Sequence, residues 1–244
     1  MKSRVLERVF SMFLFDLDGT ILDTTRPGFR QVNGVLNKIG LPAVEETFLK
    51  EIWGHPFAEI ARLVCEKVGA VERTPDFLKI DPESPMNYVV DFDLLQILWD
   101  LAYAGNTLGL ITSRRAERLK LLDKSLGFNT EMFHYVVTPD NCQYVKPHPS
   151  VFNEIKKLNS FAGEIFYFGD TINFDLELVR RSGRPIEFIG VSSGINDKND
   201  FFKNGVDQIV EEVSGLRQYL QDRFMKKSRY EHEGSNNRLL VRET

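Results

Sequence analysis

From Thr107 onward the sequence alternates between apolar runs of strand length and amphipathic stretches of helical period, and few folds accept that rhythm. Residues 107–111 read as a strand, 114–126 as a helix closed by Gly127, and 135–137 as a second strand. Ser150 is placed to cap a helix through Leu158. Residues 165–168 form a strand, 174–181 a helix closed by Gly183, and 187–191 a further strand. A last strand over 206–210 precedes a final helix from Ser214. Such alternation predicts βαβ units, hence an α/β fold with a Rossmann-like parallel sheet and helices on both faces. An earlier apolar run, residues 12–15, stops abruptly at Asp16 and reads as the first buried strand.

Between that strand and the next, residues 23–90 break the rhythm. Thr24 is a candidate N-cap. Phe29, Val32, Val35, Leu36 and Ile39 follow at helical spacing up to Gly40. A second helix carries Phe48, Leu49 and Ile52, and a third starts near Pro56 and ends before Gly69. Residues 70–90 hold three prolines and read as irregular chain with one short helix. Helical pattern resumes at Asp91 or Asp93 and ends at Gly105. The predicted organisation is a core of residues 1–22 and 91–222, an inserted helical cap of residues 23–90, and a basic tail of residues 223–244 with six Lys/Arg against three Glu.

Composition excludes several classes. A net charge of -4 over 244 residues argues against a nucleic-acid partner held by bulk electrostatics. No apolar run approaches the length of a membrane span. The basic N-terminus leads into an apolar run too short for a signal peptide. The two cysteines, Cys65 and Cys142, lack metal-type spacing, so free thiols in a reducing compartment are expected, with the cytoplasm as location. Nothing in the pattern sets an oligomeric state.

The chemistry gathers at strand ends. In extended chain Asp16 and Asp18 point the same way while Leu17 points back to the core, and Gly19 permits a tight turn. The next strand ends in Thr112-Ser113-Arg114, a later loop carries Lys146-Pro147-His148-Pro149, and another strand ends in Gly169-Asp170 with Asp175 five residues on. A parallel sheet brings these ends to one edge. Four carboxylates there would repel one another, and a divalent cation relieves the conflict. Oxygen ligands without a His or Cys cluster point to Mg²⁺. With a lysine and a hydroxyl nearby, the set forms a phosphoryl-transfer site with an aspartate nucleophile.

Residues 15–20, Thr112, residues 146–149 and Gly169-Asp170 with Asp175 resemble the four ordered motifs of the haloacid dehalogenase superfamily. The cap inserted after the first motif resembles the helical-cap branch that includes phosphoglycolate phosphatases. The resemblance implies that Asp16 is the nucleophile and that Asp18 protonates the leaving alkoxide, then deprotonates the attacking water. It implies that Thr112, Ser113 and Lys146 bind the phosphoryl group. Mg²⁺ would be held by Asp16, Asp18 through its backbone carbonyl, and Asp170, with Asp175 helping directly or through water. Asp175 lies one residue further on than in many relatives, so Asn173 is an alternative for its task. Ser113-Arg114 replaces the Asn and basic residue of many relatives, making Arg114 a candidate substrate contact.

An acid at position 18 favours a phosphoester over the substrates of dehalogenating and phosphonate-cleaving relatives. The expected activity is hydrolysis of a small phosphomonoester, of phosphoglycolate or sugar-phosphate type, through an aspartyl-phosphate. A phosphomutase of the same branch is the enzymatic alternative. A non-catalytic protein engaging a partner through the basic tail is the alternative of another class. Cap hinges are expected near 22–23 and 90–91, and the loop around His55 is the candidate substrate-facing part of the cap.

Overall fold

The computed structural model describes residues 10–80, 88 and 90–225. Residues 1–9 of the expected core, residues 81–87 and 89 of the expected irregular stretch 70–90, and the tail from 226 onward lie outside the described residues. Six strands form one parallel sheet: β1 (Met12–Phe15), β2 (Thr107–Ile111), β3 (Tyr135–Val137), β4 (Ile165–Gly169), β5 (Ile186–Ser192) and β6 (Ile209–Glu211). Their spatial order is β3-β2-β1-β4-β5-β6, so the winding reverses between β1 and β4. At such a reversal the carboxyl ends of adjacent strands diverge and leave a crevice. Asp16 follows β1 and Asp170 follows β4, which puts both at its mouth.

Alternation along the strands builds two cores. Phe13 and Phe15 of β1 join Phe166 and Phe168 of β4 on one face of the sheet. Met12 and Leu14 join Ile165 and Tyr167 on the other. The helices α1 (Thr25–Lys38), α2 (Glu46–Ile52), α3 (Phe57–Lys67) and α4 (Thr74–Lys79) pack around a third cluster, including Phe29, Leu36, Leu49, Val64 and Phe77. The sheet is flanked by α5 (Phe92–Tyr103), α6 (Ala116–Leu126), α7 (Glu177–Ser182), α8 (Lys198–Lys203) and α9 (Glu212–Leu220). Asp91 caps α5 by accepting from the Leu94 amide. Among the described residues no helix is long and apolar enough to cross a membrane, and Cys65 and Cys142 are free and buried.

Several expected elements differ. Ser150 does not cap an α-helix: Pro149–Glu154 and Leu158–Ser160 are short 3-10 turns, and the His148 ring accepts from the Ser150 amide. Phe152, Ile155 and Leu158 are all buried at a spacing of three, the repeat of a 3-10 turn. The final strand is shorter than 206–210, and α9 starts before Ser214. Thr24 occupies the N-cap position of α1 without a side-chain cap bond. Residues 223–225, expected to open the tail, are instead seated on the sheet. Arg223 forks onto both oxygens of Glu187 at 2.8 Å, and Phe224 meets Phe13 and Phe166 edge-on.

Candidate active site

Lys146 joins three separated stretches of chain. Its Nζ donates to Oδ1 of Asp16 at 2.6 Å and to Oδ1 of Asp175 at 2.7 Å, and all three side chains are buried. Asp175 also accepts from the Tyr167 hydroxyl at 2.9 Å, and its other oxygen takes the Thr171 amide and hydroxyl. Asp170 accepts from Ser193 at 3.2 Å. Close packing makes room for this: Gly19, at φ +79°, lies so near Asp170 that a Cβ would overlap its carboxylate, and a Cβ on Gly169 would overlap Asp175.

Burial raises Asp16 to about 7 against an ordinary 3.8; Lys146 pulls it down, while Asp175 and Asp18 push it further up. Burial, then Asp16 and Asp175, hold Asp170 well above the usual carboxylate range. For Lys146 burial opposes the charge, but Asp16 and Asp175 outweigh it and keep the ammonium protonated.

Asp18 is half-buried and turned elsewhere. Both its oxygens are held by Arg114, through Nε at 2.8 Å and an NH2 group at 2.7 Å. Burial opposes its ionisation, but the guanidinium holds it below the usual range.

Residues 13–191 match the haloacid dehalogenase-like hydrolase family, well over half of the chain. The chain belongs to that family. A phosphoglycolate phosphatase of Yersinia pestis is 27% identical over 195 residues, covering 75% of this chain and 81% of that protein. An N-acetylmuramic acid 6-phosphate phosphatase of Pseudomonas putida is 25% identical over 214 residues, covering 85% and 94%. The solved structure of a hydrolase from Pseudomonas syringae shares the fold at a TM-score of 0.63 and 19% identity, over 87% of this chain and 98% of that one.

In this haloacid dehalogenase-like hydrolase, carboxylate oxygens of Asp16, Asp170 and Asp175 lie within 4.8 Å of one another. Lys146 offsets one of three negative charges, and the raised Asp16 and Asp170 mark the deficit. A hard divalent cation fits this buried all-oxygen set. The Asp18 carboxylate is not part of it. Asn173 is exposed, whereas Asp175 is fully buried in the cluster.

A cavity of about 500 Å³ opens over the cluster. Asp16, Asp18, Lys146, Asp170 and Asp175 line it from the sheet edge, and Trp53, His55 and Phe57 line it from the helices before β2. Thr112 is buried, and its hydroxyl accepts from the Arg114 amide. The Ser113 hydroxyl donates to the Gly54 carbonyl at 2.7 Å rather than facing the acids. The His55 ring packs edge-on against Phe174, 4.8 Å between centres; burial lowers its pKa, Glu59 opposes that and Arg62 adds to it.

Tyr167, Thr171, Ser193 and Tyr88 escaped the sequence reading. Ser193 had a signal, since it follows β5 much as Thr112 follows β2 and Asp170 follows β4. Tyr167 had none, lying inside an apolar strand.

Proposed function

We propose that this hydrolase releases phosphate from a small phosphomonoester through an aspartyl-phosphate on Asp16. The observation that carries the reading is the Lys146 ammonium, hydrogen-bonded to Asp16 and Asp175 beside Asp170 at one sheet edge. An Asp16 oxygen attacks phosphorus, and the bond to the alkoxide leaving group breaks. Asp18 gives that oxygen its proton, then takes a proton from the water that attacks the acyl phosphate. Phosphate departs and Asp16 is regenerated. Lys146 offsets charge on the transferring group, together with the Thr112 hydroxyl and the residue 112–114 turn. Asp16, Asp170 and the Asp18 backbone carbonyl would hold Mg²⁺, with Asp175 beside them. The ion would supply positive charge that keeps Asp16 ionised and polarises the phosphoryl oxygens.

Residues 23–90 act as an inserted cap hinged near 22–23 and 90–91. The separate hydrophobic cluster of α1–α4 and the Ser113 to Gly54 hydrogen bond support this. The phosphatase names of the two relatives support the substrate class. The test is a screen of small phosphate esters with Mg²⁺, with Asp16→Asn as control. Phosphate release that vanishes in the variant is expected. Full release by a folded Asp16→Asn protein refutes the mechanism, and phosphate migration on a sugar without release refutes hydrolysis.

A further inference from the structure

The bend that follows β5 meets three parts of the molecule within four residues. Ser193 donates to Oδ2 of Asp170 at 3.2 Å. The side-chain oxygen of Asn196 accepts from the Ile172 amide at 2.9 Å, where the π-turn Ile172–Leu176 that carries Asp175 begins. Between them, Ile195 is half-buried and packs against the α1–α4 cluster. Among the described residues every other side chain of that cluster lies between Phe29 and Ile80, so Ile195 is the one member that comes from the sheet side. Gly194 borders the methyl group of Thr25, the first residue of α1. Beyond the bend, Asp197 and Asp200 form a capping box that fixes the start of α8.

The acids that this bend touches need outside support. Asp16, Asp170 and Asp175 crowd their oxygens together, with Lys146 bonded to two of them. Left alone, three carboxylates settle apart, whereas one cation needs their oxygens close and converging. Hydrogen bonds to the ligating side chains supply that orientation. Ser193 takes one oxygen of Asp170 and so directs the other, and Asn196 ties down the backbone from which Asp175 projects. A short surface bend held by polar contacts alone opens easily. Ile195 gives this one an apolar hold, and that hold lies in the α1–α4 cluster rather than in the sheet.

We propose that Ile195 is a positioning residue for the metal-binding acids: its seat among α1–α4 keeps Ser193 on Asp170 and Asn196 on the turn that carries Asp175. The proposal rests on the metal-dependent phosphatase reading and adds that the packing of α1–α4 sets the affinity of the ion site. A shift of those helices is thereby felt at the acids without passing through the substrate.

The test needs no turnover. Mn²⁺, a hard ion suited to the same oxygen ligands, is titrated into the full chain and the free ion is followed by its electron-spin signal. Ser193→Ala should weaken binding about tenfold or more, and Ile195→Ala about fivefold. Ile195→Val should lose less than Ile195→Ala, and Ile195→Leu, which keeps the apolar volume, should stay within about twofold of the wild type. Leu63→Ala trims the same cluster away from the bend, and should lower the melting temperature while leaving Mn²⁺ affinity within about twofold. In a Ser193→Ala/Asn196→Ala protein the contacts that Ile195 supports are gone, so adding Ile195→Ala should cost less than about twofold. Wild-type affinity in Ile195→Ala overturns the proposal and leaves the phosphatase reading intact. So does a fivefold loss that persists in the Ser193→Ala/Asn196→Ala background, or an equal loss in Leu63→Ala, which would make the effect general loosening. A wild type that binds no Mn²⁺ overturns the proposal together with the metal-dependent reading.

Discussion

Lys146 is held between two buried carboxylates, and each member of the trio depends on the others. Removing the ammonium in Lys146→Met leaves Asp16 and Asp175 facing each other without compensation. The expected loss is about 3–5 kcal/mol by denaturant unfolding, larger at pH 8 than at pH 5 as Asp16 ionises. Asp16 itself has the opposite sign. Its folded value near 7 exceeds the ordinary 3.8, so between those pH values the folded state keeps a proton that the unfolded chain has lost. Its contribution to stability is therefore complete at low pH and fades as pH rises through 7. In chelator, the melting temperature of the wild type relative to Asp16→Asn should fall between pH 4 and pH 7, leaving the variant the more stable at pH 8. Adding Mg²⁺ should raise the wild type and leave Asp16→Asn nearly unmoved. A difference that stays flat with pH would contradict the burial assigned to Asp16.

At the scale of elements, the loop between α2 and α3 is the delicate joint. Gly54 has φ +113°, and a Cβ there would press into the Phe174 ring, so Gly54→Ala should cost about 1–3 kcal/mol. Because the Gly54 carbonyl accepts from Ser113, the same variant should raise KM for phosphate esters; an unchanged KM would detach this loop from the site. Much of this geometry was legible in the sequence. Asp16, Asp170 and Lys146 were readable because a parallel sheet gathers its strand ends. The partner of Asp175 was not, because sequence spacing fixes place and not hydrogen bonds. Between Asp170 and Asp175 the chain makes a π-turn at Ile172–Leu176, a wide turn that leaves Asn173 outward and Asp175 inward. Tyr88 lay in a stretch whose prolines hide any period. Arg223 and Phe224 read as tail because their partners, Glu187 and Phe13, are far off in the chain.

For the whole molecule, the helices before β2 and the acids at the sheet edge line one cavity, and Trp53 is placed to report on what enters it. Its ring packs edge-on to Phe29 and over Gly28, and it lines the cavity, whereas Trp99 lies on α5. In a Trp99→Phe protein the emission should change saturably when a phosphonate analogue is added with Mg²⁺. Emission indifferent to the analogue would place the binding event elsewhere. The phenol of Tyr167 has a wider reach. Its ring stacks on Phe188 at 6.0 Å and meets Phe152 edge-on at 6.3 Å, while its oxygen touches Asp175, the lysine's second anchor. The underside of the sheet is thereby geared to the reacting edge. Trimming an aromatic there, far from any ligand, should alter turnover as well as melting, so drift among these interior rings can retune the enzyme without touching a motif.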